Sequence, residues 1–567
     1  MASITLKCKK PGHYRAILDK DVAVMTRDGT SLCANVFRPD AAGRFPVVMT
    51  LGPYGKDVHM KEFQPPPWEN LCKFYPAITE NSSCEYLGFE TPDPETWVPD
   101  GFVIVKVDSR GAGKTPGHLD VNSPREYQDF YDAIEWAGSQ PWSNGNVGLL
   151  GISYYAASQW NVAALKPPHL KAILPWQGTP DFYNGRTRQG GILASGFTRG
   201  WFGRSVLRDQ HGNPESPFHD IFTGARNTGP ESLTPEQLKA NREDYYGELL
   251  KHPLNDDWYK ARSARYENIT IPALVVANWG GLGLHLFGTI AGYMNIASPK
   301  KWLKVFTDSY FISFLMPEHV AIQKRFFDHY LKGLDNGWEK EPKVEVRVRA
   351  PQDGVHRTVI DTQWPLSGTR PTKLWLDADT NSLETTLPAR AASVSYPGMG
   401  DGPAFSITAS EDMEFAGPGV AHLWVSTTTT DIDLFAVLRA YDDKGQELSF
   451  ITILDPKAPV TMGWMRASHR TLDARRSTEL IPFYPHETAR PLHPGAVVDV
   501  QVQLWPGSLF LPKGYRLELS IAGKDFKEAG WWTHDDPVDR PAEKMGGTVT
   551  LHTGGAQASY LLLPIIS

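Results

Sequence analysis

The sequence lacks the basic excess and the long apolar runs that are typical of nucleic-acid-binding and membrane-spanning proteins. Its 567 residues carry a formal net charge of -7 and no basic stripe, which argues against nucleic acid as a partner. No segment approaches the roughly 18 apolar residues of a membrane span, and the N-terminal residues contain no apolar core long enough for a signal peptide. We therefore expect a cytoplasmic protein with no membrane partner.

Cysteine is also scarce. The four cysteines, Cys8, Cys33, Cys72 and Cys84, have neither the spacing of a metal site nor the density of a disulfide framework. We expect reduced, mostly structural thiols, no metal and no cofactor. Hydrophobic residues make up 41% of the chain, which is enough for a large core and two or three domains. A small-molecule substrate is the expected partner, and the oligomeric state, with a homodimer as one alternative, stays open.

The most informative stretch is 146–160, where an apolar segment ends at Gly151 and a helix-forming segment begins after Ser153. A strand, a sharp turn and a helix in this order push a serine hydroxyl out of the sheet edge, beside the N–H groups of the helix start. The usual form of this turn is Gly-x-Ser-x-Gly, and Tyr155 occupies its last position here. Because Gly-x-Ser alone is most often a serine in a tight turn, the assignment depends on the surrounding pattern.

Strand and helix patterns alternate around this turn. Residues 45–51, 101–107 and 170–175 are short apolar runs, as expected for strands buried on both faces, and 126–138 has helical periodicity. This alternation predicts a parallel sheet with covered faces. Residues 58–98 are rich in proline, glutamate and aromatic residues, and we predict a long loop there.

The pattern changes twice more along the chain. The strands stop after residue 180, where polar helical segments predict an inserted cap, and helical periodicity ends after Gly333. From Val344–Arg349 onward the runs alternate with period two, which is typical of a β-sandwich. The predicted units are a sheet domain formed by 1–180 and 268–339, a helical cap at 181–267 and a jelly-roll β-sandwich at 340–567.

Short motifs follow one another in a specific order. They are 108–111 with Gly117, 140–145, 151–154, 175–178, 324–328 with 331–333, 431–434 and 467–470. Together they resemble the cocaine-esterase and X-prolyl dipeptidyl-peptidase-like α/β-hydrolases over nearly the whole chain. The resemblance implies an α/β-hydrolase sheet with an inserted helical cap and a C-terminal jelly roll, carrying a Ser-Asp-His triad.

The same resemblance assigns roles to individual residues. It implies that Ser153 is the nucleophile and that the Tyr54 hydroxyl and the Tyr154 backbone N–H form an oxyanion hole. Donors aimed at a developing oxyanion are worth about 3–4 kcal/mol each in comparable sites. A packing aromatic is the alternative for Tyr54.

Four large aromatic residues are predicted to bind substrate. Phe197, Trp201 and Phe202 lie in the predicted cap, and Trp279 follows the strand that precedes the expected acid. They favour a bulky apolar, natural-product-like substrate, with core packing as the alternative for each.

The resemblance breaks at the acid and the base. The family places its aspartate two residues after a tryptophan, and here 279–281 reads Trp-Gly-Gly, so Gly281 stands at that position. The family's histidine follows the next strand, and Tyr310 occupies its position. A serine hydroxyl is a weak nucleophile without an adjacent base.

Nearby residues are candidate substitutes. His285 lies four residues after Gly281, Asp308 lies in the next loop, and His319 follows Tyr310 by nine residues. A packing or surface role is the alternative for each histidine, and it is the one we favour from sequence.

Three functions are compatible with these residues. We favour an enzyme that uses the Ser153 and Tyr54 region for a non-hydrolytic reaction, such as acyl transfer, lyase or isomerase chemistry, or cyclisation. The alternatives are a serine ester or amide hydrolase with a substitute base, and a non-catalytic small-molecule-binding protein. The fold alone does not separate them.

Overall fold

Two large β-sheets organise the chain in the computed structural model. The structure describes residues 3–307, 310–352, 354–527 and 529–566, without the side chain of Tyr310. Within these ranges, no helix combines the length and the apolar character that crossing a bilayer requires. The strands up to residue 361 are β1 (Ile4–Thr5), β2 (Ala16–Met25), β3 (Ser31–Pro39), β4 (Phe45–Gly52), β5 (Val103–Asp108), β6 (Ser143–Ile152), β7 (Leu170–Trp176), β8 (Arg188–Gln189), β9 (Ile192–Leu193), β10 (Ala273–Asn278), β11 (Lys301–Phe306), β12 (Val344–Arg349) and β13 (Val355–Asp361).

The first sheet has the order β1-β2-β3-β5-β4-β6-β7-β10-β11-β12-β13. Its strands from β5 to β12 run parallel. Every residue of β4, β5 and β10 is buried, as the continuous apolar runs predict for strands covered on both faces. The carboxyl ends of these strands therefore meet at one edge, where ligands bind in open parallel sheets.

Helices cover both faces of this sheet and build the segment between β7 and β10. That segment also contains the hairpin β8–β9 and two π-helical turns, Tyr183–Thr187 and Phe202–Val206. The α-helices are α1 (Met60–Phe63), α2 (Pro65–Phe74), α3 (Pro76–Asn81), α4 (Pro94–Trp97), α5 (Pro124–Gly138), α6 (Tyr154–Ala164), α7 (Ser195–Trp201), α8 (Pro235–Ala240), α9 (Tyr245–Lys251), α10 (Asp257–Arg262), α11 (Leu286–Asn295), α12 (Tyr310–Leu315), α13 (Pro317–Lys332) and α14 (Ala542–Met545).

The segment 58–98 is not the single long loop that its composition predicted. It contains α1, α2, α3 and α4, and a proline occupies the first turn of the last three. Proline is tolerated there because the first N–H groups of a helix have no partner within the helix. The prolines that suggested a loop therefore occupy the first turns of these helices.

The strands β12 and β13 belong to the first sheet, not to the C-terminal sandwich that was predicted to begin at residue 340. β12 pairs in parallel with β11, and β13 pairs with β12. Val344, Val346 and Val348 are fully buried there. Period-two alternation predicts a strand but does not indicate which strand it pairs with. Here β12 pairs with the edge of β11 that would otherwise be open. The limits of the domains otherwise stay a prediction.

The remaining strands form one closed sheet. Their order is β16-β23-β18-β21-β20-β19-β22-β17-β15-β14-β24, and β24 also pairs with β18, which closes the barrel. The predicted fold class, an α/β-hydrolase sheet followed by an all-β domain, is confirmed. The strands are β14 (Thr369–Asp377), β15 (Ser382–Glu384), β16 (Ala392–Pro397), β17 (Ala404–Thr408), β18 (Met413–Thr427), β19 (Asp433–Tyr441), β20 (Thr461–Arg466), β21 (Val498–Leu511), β22 (Arg516–Ala522), β23 (Thr548–Thr553) and β24 (Tyr560–Ile566).

A buried ion network joins the barrel to the segment between β7 and β10. Asp539 pairs with Arg188 of β8 at 2.6 Å and with Arg466 of β20 at 3.0 Å, and all three side chains are at most 7% exposed. Arg188 also donates to the Leu249 carbonyl at 2.8 Å. Burial alone raises the pKa of Asp539, but the two guanidinium groups outweigh it and hold that pKa well below its usual range.

We expect Asp539→Asn to destabilise the protein by about 3–5 kcal/mol, because it leaves the buried Arg188 guanidinium without its carboxylate, whereas Arg466 keeps Asp433 at 2.8 Å. Chemical denaturation measures the free energy of unfolding. Because the folded pKa of Asp539 is lowered, its contribution is present above the pKa of the unfolded chain and is lost as the pH falls. Asp40→Asn, at an exposed pair with Arg15, is the matched control and should cost about 0–1 kcal/mol. Equal effects of the two substitutions would contradict this account.

Candidate active site

Ser153 sits at the junction between β6 and α6 with a strained backbone. Its φ is 55° and its ψ is -110°, in a region that residues other than glycine rarely adopt. Its N–H donates to the carbonyls of Trp176 and Gln177 at the end of β7, at 3.2 and 3.1 Å. The side chain stays partly exposed. This is the geometry of a nucleophile elbow, in which backbone strain lifts the serine hydroxyl off the sheet.

The atypical Tyr155 in this elbow is accommodated by glycines elsewhere. A Cβ on Gly52 would lie 2.5 Å from the Tyr155 ring, and a Cβ on Gly151 would lie 2.5 Å from the Tyr155 Cβ. The glycine usually found at position 155 allows the helix to approach the strands. In this chain Gly52 and Gly151 provide that space.

His285 contacts the candidate nucleophile directly. The Ser153 Oγ and the His285 Nε2 lie 2.8 Å apart, within hydrogen-bonding distance. His285 is the residue immediately before α11, its N–H donates to the Gly281 carbonyl at 3.0 Å, and it is 1% exposed. The packing or surface role that we favoured from sequence is therefore wrong for this histidine.

The position expected for the family's acid has no room for a side chain. A Cβ on Gly281 would lie 1.8 Å from the Gln177 Nε2. The Gln177 amide donates to the Asn278 carbonyl at 2.6 Å and accepts from the Asn278 N–H at 3.1 Å. Gln177 thus fills the volume that an aspartate at 281 would need.

Of the other two candidate substitutes, His319 alone lies among the described residues. Asp308 and the side chain of Tyr310 lie outside the described residues, and the Tyr310 backbone begins α12. The His319 ring stacks on Phe306 at 4.3 Å, and its Nδ1 lies 2.7 Å from the Ser313 carbonyl. His319 therefore belongs to the packing under α13, as its alternative role predicted.

The Tyr54 hydroxyl is oriented by the predicted substrate-binding residue Trp201. The Trp201 indole N–H donates to the Tyr54 hydroxyl oxygen at 2.8 Å, which leaves the Tyr54 proton to donate elsewhere. Burial, followed by the nearby Glu90 carboxyl, raises the pKa of Tyr54 well above its usual range. The hydroxyl therefore keeps its proton at neutral pH, as an oxyanion donor must.

Tyr154 is the first residue of α6, so its backbone N–H has no acceptor within the helix. The Tyr154 hydroxyl donates to the Glu126 Oε2 at 2.5 Å, and this Glu126 oxygen also accepts from the Asn122 N–H at 2.8 Å. Burial raises the pKa of Glu126 to about 7. These contacts hold Tyr154 in place beside the elbow.

The predicted aromatic residues divide into two groups. Trp201 stacks on Tyr154 with ring centroids 6.0 Å apart, and Phe197 stacks on Trp201 at 6.1 Å. Phe202 stacks on Tyr245 at 4.8 Å, so these three residues form one aromatic layer.

Trp279 lies apart from this layer. It is 1% exposed, its indole N–H donates to the Arg347 carbonyl at 2.7 Å, and its ring packs against Trp364. The prediction that Trp279 binds substrate is corrected, because its ring and its N–H are both used in packing.

Sequence reasoning missed two ionisable residues at this site. Glu90 is buried, has a φ of 60°, and its carbonyl accepts from the Ile152 N–H at 3.0 Å. Its carboxyl group interacts with the Ser153 hydroxyl and the Tyr154 N–H, but burial dominates and raises its pKa well above the usual range. Glu90 lies in the segment that was predicted to be a loop, and no motif marks it.

The second missed residue is Arg186, in the π-helical turn before β8. It is 3% exposed, and its guanidinium lies 4.6 Å from the Trp201 ring centroid and 5.6 Å from that of Tyr154. Burial, followed by the charge of Arg186, holds the pKa of His285 well below its usual range. The imidazole is therefore neutral at neutral pH and able to accept a proton.

A large cavity elsewhere in the protein does not include this site. It has a volume of about 1010 Å³, and its lining includes Tyr127 of α5, Asn161 of α6, Phe287 of α11 and Tyr484 near the barrel. The strained backbone of Ser153 and the contact of its hydroxyl with His285 instead make the elbow the candidate active site.

Family models and similar proteins agree along most of the chain. The model of X-Pro dipeptidyl-peptidase (S15 family) matches residues 28–308, and that of the X-Pro dipeptidyl-peptidase C-terminal non-catalytic domain matches residues 336–562. Cocaine esterase from Rhodococcus sp. is 25% identical over 625 residues, covering 98% of this chain and 99% of its own. A putative Xaa-Pro dipeptidyl-peptidase from Streptomyces avermitilis is 23% identical over 490 residues, covering 76% and 68%.

A solved structure extends this similarity to the whole fold. The crystal structure of a CocE/NonD family hydrolase from Staphylococcus aureus has 32% sequence identity and a TM-score of 0.84. The match covers 100% of this chain and 96% of the other. Both the sheet that carries Ser153 and the C-terminal barrel are therefore shared.

Proposed function

This chain belongs to the cocaine-esterase and X-prolyl dipeptidyl-peptidase-like family of α/β-hydrolases, and we propose that it is a serine ester hydrolase whose base is His285. The observation that carries the proposal is the 2.8 Å separation between the Ser153 Oγ and the His285 Nε2. The relatives include an esterase and a putative peptidase, which supports a hydrolytic reaction on an acyl substrate.

The proposed reaction proceeds through an acyl-enzyme. The Ser153 oxygen attacks the ester carbonyl carbon while its proton passes to the His285 Nε2. The Tyr54 hydroxyl and the Tyr154 N–H donate to the oxyanion as the tetrahedral intermediate forms. The alcohol leaves with the proton from His285, and a water molecule, deprotonated by the same imidazole, then releases the acid.

The non-hydrolytic reaction that we favoured from sequence becomes the second choice. That preference rested on the absence of a base at the expected position, and the neutral imidazole beside Ser153 removes its main support. A non-catalytic binding protein would not need a strained serine, an imidazole and two oxyanion donors to converge. An acceptor other than water would turn the same acyl-enzyme into an acyl-transfer intermediate.

We expect Ser153→Ala and His285→Ala each to lower kcat on 4-nitrophenyl esters by at least about 10³-fold, because the serine is a weak nucleophile without its base and the base has no nucleophile to deprotonate without the serine. The double variant should lose no more than the deeper single variant, since both residues act in one step. Steady-state kinetics on purified variants measures these losses, and His493→Ala, at an exposed histidine, is the control. Additive losses, or a His285→Ala enzyme with near-native kcat, would contradict His285 as the base.

We expect the acidic limb of the pH profile of kcat/KM to lie well below pH 6.5. The lowered pKa of His285 keeps the imidazole unprotonated, so the enzyme stays active until the pH falls to that lower value. Arg186→Gln should shift the limb towards higher pH, because it removes a positive charge that disfavours the imidazolium. Arg204→Gln, at an exposed arginine of the same segment, should leave the limb in place. A limb at or above pH 6.5 in the native enzyme would contradict the assignment.

A further inference from the structure

Arg186 is a buried cation whose hydrogen-bonding groups are not satisfied. Its side chain is 3% exposed, and its Nε and Nη1 atoms are buried without a hydrogen-bond partner in the part of the chain that the structure describes. Buried guanidinium groups in native proteins are almost always paired, because taking their N–H groups out of water is costly. An arginine in this state beside a nucleophile therefore indicates a missing ligand.

The aromatic rings around Arg186 do not replace that ligand. Its guanidinium lies over the Trp201, Tyr154 and Phe182 rings, at 4.6, 5.6 and 5.9 Å from their centroids. Such cation–π contacts compensate part of the buried charge, but they accept no hydrogen bond in the guanidinium plane. The rings fix the orientation of the group and leave its N–H edges available.

Other buried polar groups near Arg186 also lack well-formed hydrogen bonds among the described residues. These are the Tyr245 hydroxyl, on which Arg186 acts directly, and the Glu90 Oε2. Arg186 also acts electrostatically on His285 and on Tyr54. Two further unsatisfied groups therefore belong to residues that interact with Arg186, and one of these residues, Glu90, also interacts with Ser153.

We propose that Arg186 binds a carboxylate of the substrate, so that the preferred substrates at Ser153 are esters that carry a second, ionised carboxyl group. This inference rests on the proposed hydrolase function and adds to it the chemical class of the substrate. Arginine suits this role because its planar N–H groups match the geometry of a carboxylate. The aromatic layer of Phe197 and Trp201 then contacts the apolar part of the same molecule.

The charge balance of the site favours an anion over a neutral ligand. Glu90 interacts with the Ser153 hydroxyl and electrostatically with Arg186, but burial dominates and raises the pKa of this carboxyl well above its usual range, which favours its neutral form. Glu90 therefore offsets the charge of Arg186 less than an ionised ligand carboxylate would, and the Arg186 Nε and Nη1 groups keep no hydrogen-bond partner among the described residues. A buried ion pair with good geometry forms only when the substrate is bound, which makes binding selective for charge.

The first experiment compares anionic and neutral esters of equal length. Mono-4-nitrophenyl glutarate, adipate and pimelate are paired with 4-nitrophenyl pentanoate, hexanoate and heptanoate, and spontaneous hydrolysis is subtracted. A second pair, 4-acetoxybenzoate and its methyl ester, places the charge on the alcohol side. We expect kcat/KM to be at least about tenfold higher for the anionic ester than for its neutral partner in at least one of these two sets. A ratio of about tenfold is the effect of one charge-assisted hydrogen bond. Equal or lower values for every anionic ester would overturn the proposal.

Variants then assign the preference to Arg186. Arg186→Gln should abolish the anionic-to-neutral ratio, and Arg186→Lys should retain part of it. Arg204→Gln is the matched control, because Arg204 is an exposed arginine that also lies over a tryptophan, Trp531. A preference that survives in Arg186→Gln would place the anion site elsewhere and overturn the assignment.

A binding measurement separates this inference from the proposed function and does not require a variant of Arg186 to fold. Calorimetric titration of the native enzyme and of Ser153→Ala compares 4-phenylbutyrate with 4-phenylbutyramide. Binding of the carboxylate at least about tenfold tighter than the amide supports the site even if no ester is hydrolysed. Hydrolysis of neutral esters without any preference for the carboxylate would keep the hydrolase and reject the Arg186 site. Equal binding of the acid and the amide would also reject the Arg186 site, since water would then satisfy the guanidinium.

Discussion

The left-handed backbone of Ser153 is the constraint on which the site depends. At a φ of 55° the chain turns from β6 into α6 within one residue, so the hydroxyl leaves the sheet and the Tyr154 N–H faces the same space. The turn is tight enough that Gly52 and Gly151 must lack side chains beside Tyr155. The strain is held by two hydrogen bonds from the Ser153 N–H to the end of β7. The buried packing of the sheet thus sustains a conformation that the isolated segment would not adopt.

The position of the base follows from packing on the neighbouring strand. Gln177 fills the space behind Gly281 and bonds to the end of β10, which leaves no volume for a carboxylate there. The chain then continues to His285, whose N–H is anchored on the Gly281 carbonyl and whose ring reaches Ser153. Farther out, the ion pair between Arg188 and Asp539 ties the barrel to the segment that carries Arg186. The barrel therefore anchors the chain two residues after Arg186.

The predictable parts are those that local patterns encode. The parallel strands, the elbow at Ser153 and the all-β C-terminal domain follow from hydrophobic periodicity and from ordered motifs. Sheet partners do not, and so the alternating strand β12 was placed in the wrong sheet. The contact of His285 with Ser153 spans 132 residues of sequence, and spacing alone ranked this histidine only slightly above His319. Glu90 and Arg186 matter through burial, and no pattern of neighbouring residues reveals burial in a loop or a cap.

The central claim is that Ser153 is a nucleophile activated by His285. Intact-protein mass spectrometry after treatment with a fluorophosphonate tests it most directly, because the reagent modifies a serine only when a base takes its proton. The account predicts one adduct per native chain, located at Ser153 by peptide mapping, and slow or no labelling in His285→Ala, while His493→Ala labels as the native protein does. A native protein that stays unlabelled, or a His285→Ala variant that labels at the native rate, would contradict it.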